Sequence, residues 1–87
     1  MEDRIANLLM LAKRPTLEEA QAMVGGYVEL LWLDKQTQML VNEEGAYDDS
    51  LYPNPLATRL AEKAGICVMK CGIRGDALIL TGDALWD

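Results

Sequence analysis

The stretch from Thr16 to Val41 constrains the fold most, because its hydrophobic period changes once, at a double glycine. Leu17, Ala20, Met23 and Val24 recur at helical spacing. Thr16 with Glu19 three positions on has the capping-box spacing, in which each residue satisfies a free backbone donor of the other. Gly25-Gly26 stops that helix. From Tyr27 to Leu33 the residues alternate as in a strand: Val28, Leu30 and Trp32 face one side, and Tyr27, Glu29, Leu31 and Leu33 the other. Asp34-Lys35-Gln36 is a polar break and Thr37 to Val41 returns, which predicts a hairpin.

The flanking segments are read the same way. Ile5, Leu8, Leu9 and Ala12 share a helical face, with Glu2 and Asp3 at one end and Lys13-Arg14 at the other. This predicts a helix over residues 2–13, ended by Pro15. Asn54-Pro55 has the form of an N-cap followed by proline at the first helical position. Leu56, Ala57, Leu60, Ala61 and Ala64 then predict an amphipathic helix closed by Gly65. Ile66 to Cys71 and Ala77 to Thr81 predict a second hairpin across the turn Gly72 to Asp76. The expected fold class is α+β: an antiparallel sheet of about four strands, as two hairpins, packed on one face by two or three helices. At 87 residues the chain is expected to be a single domain, with residues 1–14 a helical extension and residues 16–82 the core.

Charge and residue types narrow the function. The net charge is −6, and no basic run exceeds Lys13-Arg14, which disfavours direct nucleic-acid binding. The N-terminus opens on Glu2 and Asp3, so no secretory leader is expected, and no apolar run approaches a membrane span. Cys67 and Cys71 on one extended segment would stand roughly 13 Å apart at ~3.3 Å per residue, beyond disulfide reach. They read as reduced packing thiols in a cytoplasmic protein.

The chain has no histidine, and neither cysteine has an evident base beside it, so an enzyme is not expected. Glu43, Glu44, Asp48 and Asp49 are concentrated in one stretch, but without the register of a calcium loop. Zinc lacks a four-ligand set. No metal and no cofactor are expected. Gly25-Gly26 runs from helix to strand, the reverse of a phosphate-cradling loop. Asn42 and Gly45 read as a turn. Glu43, Glu44, Tyr47, Asp48, Asp49 and Tyr52 read as a displayed surface, because aromatics among carboxylates in a long irregular stretch are not needed for folding.

Four pieces form an ordered set: Val24-Gly25-Gly26-Tyr27-Val28-Glu29, Val41-Asn42-Glu43-Glu44-Gly45, Tyr52-Pro53-Asn54-Pro55 and Gly75-Asp76. The set resembles a family of uncharacterised small proteins, a domain of unknown function carried by bacteriophages, plasmids and conjugative elements. Its structural signature falls here on Gly25, Gly26, Asn42, Gly45, Asn54 and Pro55. The segment from Ala46 to Tyr52 departs from the family in being longer and more acidic. The resemblance implies no activity; it implies an accessory protein of a mobile genetic element in a bacterial cytoplasm.

Three functions are compatible with this reading. The first is a non-catalytic accessory protein that binds and modulates a host protein through the acidic aromatic loop. The second is a small-molecule binder, as a homo-oligomer that sequesters a nucleotide signal of host defence, with Arg59, Lys63, Lys70 and Arg74 converging on the ligand. The third is a DNA mimic, for which the carboxylates are too local and the charge too modest.

Overall fold

The structure, a computed structural model, describes residues 3–5, 8–44, 50–66 and 72–86. Its strands are β1 (Asp3–Ile5), β2 (Leu8–Leu11), β3 (Val28–Asp34), β4 (Thr37–Asn42) and β5 (Ala77–Thr81). Its helices are α1 (Leu17–Val24) and α2 (Pro55–Lys63), and a 3-10 turn covers Gly82–Ala84. The strands form one five-stranded sheet in the order β1-β2-β5-β4-β3. All pairings are antiparallel except β2 with β5, which is parallel. The α+β class expected from the sequence is therefore what the chain adopts.

The N-terminal segment is not a helix. Leu8, Leu9 and Leu11 sit in a strand that pairs with β1 on one edge and β5 on the other. The reason lies in burial on both sides: Leu8 packs with Met39, Val41 and α2, whereas Leu9 packs with Leu40, Leu78 and α1. A strand buried on both faces reads as a continuous apolar run, and such a run contains helical spacing by accident.

The expected second hairpin is also replaced. Leu78–Leu80 is flanked by β2 on one side and β4 on the other, so both edges of β5 are taken. Most of its expected partner, residues 67–71, lies outside the described residues. The first hairpin forms as expected, with a bulge between Trp32 and Asp34.

The helices lie on opposite faces of the sheet and not on one. α1 presents Ala20 and Val24 to Leu9, Leu40, Leu78 and Leu80. α2 presents Ala57 and Ala61 to Leu8, Met39, Val41, Ala77 and Ile79. Alternation along β4 and β5 thus feeds two cores at once, which is why Met39, Leu40, Leu78 and Leu80 are all fully buried. Alanine at the contact points of α2 lets the helix axis approach the sheet closely.

The caps behave as their residues require. Glu19 N donates to Thr16 Oγ1 at 3.1 Å, and Thr16 N donates to Glu19 Oε1 at 2.8 Å. The 3-10 turn leads to Trp86, which the buried Gln38 side chain holds as a peptide group would. Trp86 N donates to Gln38 Oε1 at 2.7 Å, and Gln38 Nε2 donates to Trp86 O at 2.6 Å. The indole Nε1 donates to Pro15 O at 3.0 Å, so one residue ties β4 to the segment before α1.

Candidate functional site

The four signature pieces meet around the C-terminal end of α1. Gly25 ends that helix at φ 82°, a left-handed conformation in which glycine carries no Cβ penalty. The N–H groups of Gly25 and Gly26 both donate to Gln21 O, at 2.9 and 3.1 Å. Helix termination leaves late carbonyls without helical partners. One of them, Val24 O, accepts from Asn42 Nδ2 at 3.1 Å.

Asn42 leaves β4 with its side chain almost wholly buried. Its Oδ1 accepts from Glu44 N at 2.8 Å, the turn expected of an Asn at a strand end. The same amide reaches back to α1, so Val-Gly-Gly and Asn-Glu-Glu are two halves of one contact. Glu43 N donates to Tyr27 O at 2.8 Å and closes the arrangement. A methyl group built on Gly26 would stand 2.9 Å from Asn42 Nδ2. Gly26→Ala should displace a doubly bonded amide and destabilise the domain by about 1–2 kcal/mol, measured by urea unfolding. A change within error would show that Asn42 can give way.

The other two pieces are joined by the second buried asparagine. Asn54 Oδ1 accepts from Ala57 N at 3.1 Å and caps α2, with Pro55 at the first helical position. Asn54 Nδ2 donates to Gly75 O at 2.8 Å, and Gly75 N donates to Tyr52 O at 2.8 Å. Thr58 Oγ1 donates to Asn54 O and accepts from Ile73 N, both at 2.9 Å. Gly75, at φ 86°, packs where a Cβ would stand 3.4 Å from Leu51 and 3.8 Å from Val24 O. Val24 O is thus where the two halves of the signature approach each other.

Two open grooves border Gly25. One, of about 320 Å³, is lined by Gln21, Gly25, Gly26, Tyr27, Asn42 and Glu44. The other, of about 210 Å³, runs between Met23, Leu51, Tyr52, Gly75 and Asp76. Tyr27 and Tyr52 stand at these grooves 68% and 82% exposed. The polar lining is amide, hydroxyl and carboxylate, without a cation.

Of the residues expected to face a partner, Glu43, Glu44 and Tyr52 are exposed beside these grooves. Tyr47, Asp48, Asp49 and Gly45 lie outside the described residues. Of the four cations expected to converge, Lys63 lines a separate groove with Leu33, Asp34 and Leu60. Arg59 lies on α2, and Arg74 is the residue that bridges Pro53. Lys70 lies outside the described residues. Gln21 and Tyr27 line the groove in addition to the residues expected from the sequence. The sequence signal for Tyr27 is an aromatic directly after a glycine pair, where the chain turns to the surface.

Among the described residues, no three His, Cys, Asp or Glu side chains gather as metal ligands. Among them, too, no helix is long and apolar enough to cross a membrane. The fold and site define a small α+β domain with a rim of exposed tyrosines and carboxylates around two grooves. Comparison of the chain with family models, curated proteins and solved structures found no match.

Proposed function

We propose that the chain is a non-catalytic binding domain that seats a basic segment of another protein across the grooves at Gly25. One observation carries the reading: two highly exposed tyrosines border grooves whose polar groups are amide, hydroxyl or carboxylate. Tyrosine offers large contact area with few rotatable bonds and is enriched at binding hot spots. Glu43, Glu44 and Asp76 supply charge complementary to lysine or arginine. The buried asparagines hold this rim on the ends of α1, β4 and α2, so little ordering is left to the moment of binding. With the resemblance to mobile-element proteins, the partner is a host protein in the bacterial cytoplasm, and the chain an accessory factor that modulates it.

Tyr27→Ala and Tyr52→Ala should each weaken capture of the partner from host lysate by about tenfold or more, with melting temperature unchanged. Capture by the unaltered protein should also fall as salt is added, since the rim acts through charge. Capture indifferent to both tyrosines would remove the reading.

A second reading, a small-molecule binder, draws on the volume of the larger groove, about 320 Å³, at the lower end of ligand pockets. Its lining disfavours a phosphorylated ligand. A rise in melting temperature with a saturating nucleoside, which carries no phosphate, would favour this reading over the first.

A further inference from the structure

We infer that two copies of this chain join through the outer edge of β3, pairing antiparallel about Leu31 to make one continuous sheet. β3 closes one side of the sheet, and no described residue pairs with its outer edge. An edge strand presents a row of unpaired backbone donors and acceptors, and proteins blunt such edges with lysine, proline or a cover. β3 reads Val-Glu-Leu-Leu-Trp-Leu-Asp, with neither lysine nor proline, and its one bulge lies past Trp32, so Val28 to Trp32 stays regular. Trp32 is 51% exposed on it, and an exposed tryptophan on an edge that no described residue pairs invites association.

The strand is self-complementary in one register. Residues directly opposite in a paired sheet share a face. Glu29, Leu31 and Leu33 belong to the α2 face, since Leu31 and Leu33 pack on the α2 core. Val28, Leu30 and Trp32 belong to the α1 face, where Val28 and Leu30 join the α1 core. A two-fold axis at Leu31 sets Leu31 against its own copy and Leu30 against Trp32 twice. Glu29 then stands opposite Leu33. An axis at Leu30 would instead press Glu29 against Leu31, with no cation supplied. Axes between residues would oppose side chains of different faces and are excluded.

Charge selects the Leu31 register. Leu33 shares a groove with Asp34 and Lys63 at the end of α2, so a partner's Glu29 opposite Leu33 arrives at a groove whose cation is Lys63. Both Glu29 and Lys63 are exposed and able to respond. The two-fold axis creates the contact twice, with both α2 helices on the same face of the joined sheet, as an isologous interface requires. The bulge between Trp32 and Asp34 falls at Leu33, past the regular Leu30–Trp32 pairing, and leaves Leu33 packed on the α2 core, the face that Glu29 shares.

Sedimentation equilibrium of the full chain over micromolar to millimolar concentration tests this. The mass should rise from 9.6 kDa toward twice that value. Glu29→Lys and Lys63→Glu should each raise the dimer dissociation constant about tenfold or more, by opposing like charges twice. The double variant should restore dimerisation by exchanging the charges. Circular dichroism reports whether each variant keeps its fold, and both sites are exposed. A monomer throughout the range overturns the inference. So does a dimer unaffected by the single reversals, or one that the double variant does not restore.

Discussion

Leu78→Ala and Ile79→Ala are both expected to cost about 3 kcal/mol, lowering the melting temperature by about 15 °C in a domain of this size. The two residues are adjacent on β5, the central strand, so their side chains point to opposite faces. Leu78 is fully buried among Leu9, Ala20, Val24 and Leu40 under α1. Ile79 is 8% exposed among Leu8, Met39 and the alanines of α2. In a sheet covered on one face, one of two neighbouring truncations would fall on the solvent side and be tolerated. Two costly neighbours are the mark of a sheet covered on both. Met10→Ala, at a half-exposed position, should cost less than about 1 kcal/mol and serves as the control. Urea unfolding of the three variants decides it. A loss below about 1 kcal/mol at either Leu78 or Ile79 would mean that one core is not packed.

Asn54→Ala should destabilise the domain by about 2–3 kcal/mol, more than an N-cap alone provides. The excess arises because the amide serves two segments at once. Its oxygen caps α2 at Ala57 N, and its nitrogen holds Gly75 O. Ala57 is fully buried, so its N–H has no recourse to water when the cap is lost. Asn54→Asp separates the two roles. Aspartate restores the cap and suits the positive end of the helix, but it cannot donate to Gly75 and sets a carboxylate oxygen against that carbonyl. Its stability should therefore fall between Asn and Ala. Equal stability for Asn54→Asp and the unaltered protein would show that the Gly75 contact contributes nothing.

Elements whose signals are local were legible in the sequence. The helix Leu17–Val24, with its capping box and glycine stop, the hairpin of β3 and β4, the capped helix from Pro55 and the strand Ala77–Thr81 all follow from patterns within a few residues. The segment Leu8–Leu11 was misread because residues buried on both faces erase the alternation that distinguishes a strand. The partner of β5 was misassigned for a related reason: a parallel pairing with β2 leaves no turn between the strands to announce it. At the site, the local pattern marks Asn42 as a turn and Asn54 as a cap. Their second bonds, to Val24 O and Gly75 O, join residues far apart in sequence and have no local signature. The convergence of the four signature pieces on Gly25 was hidden for the same reason.

The parallel pair at the middle of the sheet sets the order in which this chain can fold. Leu8 pairs with Ala77, more than sixty residues later in the chain. The β3–β4 hairpin and the capped helices can form early from near neighbours. β2 has no place in the sheet until β5 has been made, and closing so long a loop is a slow step. On the ribosome, then, β2 must wait with its leucines uncovered until β5 has been synthesised. Refolding should be slow for a chain this short, and a circular permutant that joins the two ends and opens a surface turn should fold faster.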